Sequence, residues 1–246
     1  MKKTTIIVLF LFTLGVNAQQ KTDKKVAVVS FYTDKIIDVS DLGLNGLVAV
    51  TDLIVDLGNN PNFNLTPILE KYHTAFFDSY SKQFPFELLP ETTVTQNKDY
   101  IDYIPKYDKV GAAKQSIINY TGYKYIHEGI LGKVNEEGVA KIFSPIADGT
   151  LYTEVHFSLQ KGFGIGGNAT IKMRATARIA LYNKSGEKVF AINEYANSKK
   201  TEFMIKGIPV LAPDKILPMC QSALDELMED LDKRIAKMVK KTEAKL

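Results

Sequence analysis

Tryptophan is absent from the 246 residues, cysteine occurs once and histidine three times. With Cys220 as the single cysteine, no intramolecular disulfide can form, so the fold must rest on core burial, which a chain of this length can supply. The missing tryptophan removes an aromatic platform that sugar clefts commonly use. A large excess of one charge is missing too: 31 Lys+Arg face 28 Asp+Glu, a net charge of +3. Taking away Lys2 and Lys3 leaves about +1, and neutralising phosphates needs a basic face, so nucleic acid is excluded as a partner. Long apolar runs are scarce. The richest beyond the first residues, Leu42 to Leu57, is broken by Asp52 and Asp56 and falls short of the roughly 20 residues of a spanning helix. There is no Gly-x-Ser-x-Gly elbow, Walker loop or calcium loop.

What is present begins with a leader. Lys2 and Lys3 precede a short apolar run, Ile6 to Leu14, and Val16-Asn17-Ala18 places small residues before the polar Gln19-Gln20-Lys21. This order predicts a cleavable secretory signal over 1–18 and Sec-dependent export to the periplasm, with outer-membrane association or secretion as alternatives. No cysteine follows the run, which closes the diacylated lipoprotein route. The expected organisation is a polar segment over 19–23, a single α+β domain over 24–241 and a tail over 242–246.

Val26 to Phe31 is a continuous β-branched run, the pattern of a central strand buried on both faces. Leu47, Val50, Ile54 and Leu57 recur at helical spacing and predict a short helix ended by Gly58-Asn59-Asn60-Pro61. Thr66-Pro67 reads as a helix cap followed by proline in the first turn, with Ile68, Leu69, Tyr72, Ala75, Phe76 and Tyr80 along one face. Phe86 to Leu89 reads as a short strand and 91–106 as a loop carrying Tyr100 and Tyr103. A second helix is expected from near Asp108 through Val110, Ala113, Ile117 and Tyr120, with Gly122 as its left-handed stop.

The period then changes to two. Tyr125 to Val134 is expected to be a strand. In 151–160, Leu151, Thr153, Val155, Phe157 and Leu159 alternate with Tyr152, Glu154, His156 and Ser158. In 169–183, Ile171 to Leu181 alternate with Thr170, Lys172, Arg174, Thr176 and Arg178, which predicts an antiparallel strand with one wet face. Asn183-Lys184-Ser185-Gly186 is a turn to a hairpin partner, 189–195. Ile216 to Lys240 is one amphipathic helix whose apolar stripe holds Ile216, Cys220, Ala223, Leu227, Leu231 and Ile235, making Cys220 a buried structural thiol. Its basic end matches the negative helix C-terminus. The expected fold is a two-layer α+β sandwich: a mixed, mostly antiparallel sheet with helices on one face and a long C-terminal helix.

Candidate sites are few. Gly162-Phe163-Gly164-Ile165-Gly166-Gly167 matches G-x-G-x-x-G, but the glycines run into a period-two segment, and pyrophosphate binding needs a helix N-terminus there. The segment reads as a hairpin loop or bulge with Phe163 and Ile165 as apolar tips, either idle or touching a partner or lipid surface. His127-Glu128 lacks the second histidine of a zincin, so His127 and His156 read as strand histidines that at most share a weak surface metal site. Tyr100, Tyr103 and Tyr107 form an aromatic cluster that either packs or recognises a ligand. No catalytic residue and no cofactor is expected.

Three segments carry a resemblance: Lys25-Val-Ala-Val-Val-Ser-Phe31, Phe86-Glu-Leu-Leu89, and Ala169–Tyr182 leading into Lys184 to Val189. In these, and in the order of elements over most of 24–240, the chain resembles the periplasmic domain shared by the curli secretion channel protein, outer-membrane activators of penicillin-binding proteins and the amino-terminal domain of the Tol system's periplasmic component. The resemblance implies a non-enzymatic accessory protein that binds other envelope proteins. The chain departs from those relatives in lacking the acylated cysteine and an amphipathic hairpin extension for a pore. Three functions stand open: an envelope accessory or assembly protein acting through protein binding, with homo-oligomers allowed; a hydrolase without a recognisable motif; and a subunit of an oligomeric export channel. The second would require a pocket in which acids or histidines converge with perturbed pKa values.

Overall fold

The structure is a computed structural model, described over residues 23–42, 48–106 and 116–239. The leader, Tyr107 with residues 108–115, and the tail lie outside the described residues.

Seven strands form one mixed sheet in the order β2-β1-β4-β5-β6-β7, with β3 also on β1. They are β1 (Lys25–Asp34), β2 (Glu87–Leu88), β3 (Ile117–Asn119), β4 (Gly149–Ile165), β5 (Asn168–Asn183), β6 (Lys188–Ile205) and β7 (Ile208–Pro209). β1 runs parallel to β2 and β4, and the other pairings are antiparallel. The β-branched run of β1 is buried throughout, as a strand flanked on both edges and covered on both faces must be. Among the described residues the α-helices are α1 (Val48–Asn59), α2 (Thr66–Asp78), α3 (Glu91–Thr95), α4 (Lys98–Asp102), α5 (Lys133–Phe143) and α6 (Pro213–Val239). The expected α+β architecture with a mixed sheet and a long last helix is the one found.

The main core lies on one face of the sheet. The alternating inner positions Leu151, Val155, Phe157 and Leu159 of β4 and Ile171 to Leu181 of β5 meet α2 and α6. From α2 come Ile68, Leu69, Tyr72 and Phe76; from α6 come Ile216, Cys220, Ala223, Leu224, Leu227 and Leu231. The Cys220 thiol is fully buried, and burial pushes its pKa well up, so it is an inert packing element as its place in the stripe predicts. Phe31 of β1 anchors an aromatic cluster with Tyr72, Phe76, Tyr120 and Tyr123.

A second, smaller core covers part of the opposite face. There Ala27 and Val29, Tyr152, and Ala180 and Tyr182 pack against Val94 of α3, Tyr100 of α4, and Val139 and Phe143 of α5. The face expected to be wet is therefore dry where α3 to α5 lie on it, and Tyr152 and Tyr182 are buried.

Several local expectations are corrected. Residues 91–106 hold α3 and α4, the latter capped by the Asn97 side chain accepting from the Tyr100 amide at 3.0 Å. Ile117 belongs to β3 on the edge of β1 and not to a helix, while residues 108–115 of the expected helix lie outside the described residues; Gly122 has the expected positive φ of 85°, but in a turn after that strand. Tyr125 to Val134 is not a strand: 123–128 is irregular and α5 begins at Lys133. The apolar and polar mixture of these ten residues mimics alternation, but Gly129 and Gly132 break the pattern. At α2 the cap shifts by one residue, to Leu65, and the Asn64 side chain accepts from the Thr66 amide instead. β6 runs ten residues past the predicted Tyr195, to Ile205.

Candidate functional site

Where the smaller layer stops, a row of charged and phenolic side chains crosses the open face of the sheet. Register sets it: Tyr32 of β1 sits opposite Glu154 of β4, and Glu154 opposite Arg178 of β5. Alternation points all of them away from the main core. One step along, His156 faces Asp34. The Tyr32 hydroxyl donates to Glu154, and the His156 ring meets Asp34 through Nδ1 at 2.9 Å and Glu154 through Nε2 at 3.3 Å. Arg178 makes a two-pronged pair with Glu128, the second prong at 3.1 Å, and the Tyr182 hydroxyl donates to Glu128 Oε1 at 2.6 Å. Glu128 comes from the irregular segment before α5. The half-buried Arg178 thereby ties that segment to the sheet.

Tyr32, Glu128, Glu154 and Arg178 line a cleft of about 300 Å³ together with Tyr125, Ile126, His127 and Gly129, with His156 bonded to Glu154 beside it. Burial alone would lower the His156 pKa, but its hydrogen bonds to Asp34 and Glu154 and their charges outweigh it and raise it to about 9. A protonated imidazole held between two carboxylates is a cation at neutral pH, not a general base. Glu128, Glu154 and Asp34 in turn each face a cation. The condition set for an enzyme is thus met in its residue types, a cleft with converging acids and histidines, while their partners within the protein already engage the groups that would do the chemistry.

His127 lies on the irregular segment, not on a strand, with Nδ1 at 3.3 Å from the Tyr125 hydroxyl. His73 belongs to a different site, where Nε2 meets Glu91 Oε1 at 2.6 Å and the ring stacks on Tyr120 at 3.6 Å. Among the described residues no cluster of three or more His, Cys, Asp or Glu is arranged to hold a metal ion.

The proposed contact residues separate. Tyr100 is fully buried in the smaller core, its hydroxyl donating to the Val29 carbonyl at 2.7 Å, so it is a packing residue and not a contact. Tyr103 is half-buried, its hydroxyl 3.3 Å from Asn135 Oδ1. Tyr107 lies outside the described residues. Phe163 and Ile165 stand at the far end of β4, 83% and 78% exposed. The glycine motif forms the end of a hairpin, β4 continuing to Ile165 before a turn at Gly166-Gly167, as the period-two reading required.

Sequence reasoning missed a second exposed apolar group, on the outer surface of the smaller layer. Asn135 of α5 accepts from the Lys106 amide at 2.7 Å and donates to the Lys106 and His127 carbonyls, pinning 103–106 against the start of α5. Ile101 and Ile104 on one side, and Ile130, Leu131 and Val134 on the other, remain exposed, Ile130 completely. The missing signal was α5 itself: with 125–134 expected to be a strand, the helix that starts at Lys133 and the turn before it were not read.

No family model matches the chain, and no curated protein matches it. Among solved structures it is similar to a protein described as a neuraminyllactose-binding hemagglutinin homolog from Helicobacter pylori, at 7% identity over 90% of this chain and 87% of that one, with a TM-score of 0.35. A protein described as a lipoprotein from Caulobacter crescentus gives 16% identity over 47% of this chain and 88% of that one, with a TM-score of 0.23. The lipoprotein GNA1162 from Neisseria meningitidis gives 12% identity over 87% and 99%, with a TM-score of 0.30. At such identities and scores these likenesses carry no argument about function. Among the described residues no helix is long and apolar enough to cross a membrane.

Proposed function

We propose that the chain is an exported, non-enzymatic accessory or assembly protein of the cell envelope that works by binding other proteins. The observation that carries this is the exposed apolar surface of the smaller layer, Ile101 of α4, Val134 of α5, and Ile104, Ile130 and Leu131 in the segments beside them, which Asn135 fixes by polar contacts. Apolar side chains concentrated on a rigid, well-packed layer mark a place where another surface sits. The leader pattern supports export, and the envelope resemblance agrees with a binding role.

Photocrosslinking from Ile104 and Ile130 in intact cells, with mass-spectrometric identification of the captured proteins, tests the reading. Envelope proteins captured by the wild-type chain and lost in Ile104→Asp and Ile130→Asp variants of unchanged melting temperature would support it. Capture of cytosolic proteins alone, or recovery of the full polypeptide with Met1 attached from inside spheroplasts, would sink it.

The cleft beside Glu154 favours a second reading, a hydrolase acting on envelope material. It predicts a hydrolytic activity in broad substrate screens that Glu154→Gln and Glu128→Gln abolish. A channel subunit would instead give rings in detergent extracts.

A further inference from the structure

The end of the sheet remote from α5 carries an apolar face that neither core uses. Gly164 of β4 lies opposite Ala169 of β5, which is buried in the main core, so the flanking Phe163 and Ile165 point to the other face. Met204 of β6 is likewise buried in the main core opposite Ala169, so Phe203 and Ile205 point the same way as Phe163. Ile208 of β7 pairs with Ile205 and joins them. All five side chains are exposed, from 46% at Ile208 to 83% at Phe163. Two tight turns, Gly166-Gly167 and Lys206-Gly207, stand side by side at this end, joined by the Gly207 amide donating to the Gly167 carbonyl at 2.7 Å. Every residue in both turns has positive φ, the pattern of two-residue hairpin loops that let strands run to the very tip.

The charges around the patch are mostly positive, the exposed exception being Asp41, which lies toward the border where it accepts from Gln160 and stands 4.0 Å from Arg174. Lys172 on the same face, Lys206 in the turn, and Lys161 and Lys200 on the flanking strands are all exposed. The single carboxylate in strand segments 160–174 and 197–210 is Glu202, which is turned toward α6 and paired with Lys215 at 3.8 Å. Protein–protein interfaces are depleted in lysine, whereas an apolar tip ringed by lysines matches the boundary of an anionic bilayer: apolar groups enter below the headgroups and ammonium groups stay among the phosphates.

We propose that this end of the sheet docks on an anionic membrane surface, with Phe163, Ile165, Phe203, Ile205 and Ile208 inserted and the lysines on the headgroups. The docking is independent of the protein-binding reading, which concerns a different layer, and of which side of a membrane the protein occupies.

Because the chain has no tryptophan, a Phe163→Trp variant carries a lone reporter at the tip. Mixed with vesicles of equal parts phosphatidylglycerol and phosphatidylcholine, its emission shifts to the blue and is quenched by brominated acyl chains. Vesicles of phosphatidylcholine alone give a weaker shift. Raising the ionic strength from about 0.01 M to about 0.15 M, which shortens the screening length from about 30 to about 8 Å, weakens binding. Sedimentation with the same anionic vesicles falls at least about tenfold in a Phe163→Ser, Phe203→Ser variant whose melting temperature is unchanged. Binding carried by the leader instead would leave the reporter unshifted and the double variant bound, and either result overturns the proposal. So does self-association abolished by Phe203→Ser without vesicle binding, or loss of a captured protein partner in the double variant while vesicle binding persists.

Discussion

The two ends of the same three strands differ in what lies on them. At one end β4 and β5 are covered twice, by α6 on one face and by α3 to α5 on the other, so that neighbouring residues such as Ala180 and Leu181 are both fully buried. At the other end the main core continues beneath Ala169 and Met204, while the opposite face is bare. The polar row from Tyr32 to Arg178 marks the border. A strand's alternation therefore says which residues share a face but not whether that face is dry. Here one face changes from core to polar seam to exposed apolar patch along a single strand.

Acidic substitutions on β5 give the sharpest contrast. Ala177→Asp should destabilise the protein by about 3–5 kcal/mol, because Ala177 is buried in the main core and a carboxylate there has no cation. Ala180→Asp should cost about as much, since the smaller core excludes water from it. Lys172→Asp, on the same face of the same strand as Ala180 but beyond the border, should change stability by less than about 0.5 kcal/mol. Thermal or urea unfolding reads all three, and an Ala180→Asp melting temperature equal to wild type would show that the smaller layer does not seal its end of the sheet.

The border is the next test. Arg178→Ala leaves the largely buried Glu128 carboxylate without its cation and should cost about 3 kcal/mol. Replacing both partners, Arg178→Met with Glu128→Leu, should recover most of that loss, because the penalty arises from the stranded charge. If the double variant is as unstable as the single one, the pair fixes the irregular segment by geometry that apolar packing cannot replace.

How far this contrast could be read beforehand depended on the range of the information. The strands β1, β4 and β5, the α6 stripe through Cys220 and the α2 face from Ile68 to Phe76 are local periodicities, and they were legible. The placement of Phe163 and Ile165 was legible as well, since glycines running into period two exclude a helix. The smaller layer was not. Its helices α3 and α4 have five residues each, too short for a periodic signal, and α5 carries Gly138 and a polar first turn that hide its period. The charged row was invisible for another reason: Glu154, His156 and Arg178 each read as ordinary wet-face residues. Their meeting with Tyr32 and Asp34 depends on β1 pairing parallel to a strand more than a hundred residues on, which no local pattern encodes.

The turns at the two ends repeat the contrast on a smaller scale. Gly186 and Gly207 both have positive φ, 76° and 83°. A Cβ on Gly186 would lie 2.7 Å from the Glu137 backbone of α5, whereas one on Gly207 would meet nothing within 4 Å. Gly186→Ala should thus cost about 2 kcal/mol, dihedral strain plus displacement of α5, and Gly207→Ala about 1 kcal/mol from strain alone. Equal losses in urea titrations would mean that α5 yields freely and that the covered end is looser than its packing indicates.

The smallest expected effect concerns His156 on the border. Its pKa is raised from 6.5 to about 9 in the folded protein. The charged imidazole between Asp34 and Glu154 therefore stabilises the fold fully below about pH 6.5, and the contribution is lost as the pH rises through about 9. Since a third of the side chain is exposed, solvent screening reduces the contribution to about 1 kcal/mol. Wild-type stability should decline by that amount between pH 6.5 and 9 relative to His156→Gln, which keeps a hydrogen-bonding side chain but cannot titrate. A parallel pH dependence of the two proteins, or an imidazole resonance titrating near 6.5, would place the border in open solvent and move the change from covered to bare sheet closer to α5.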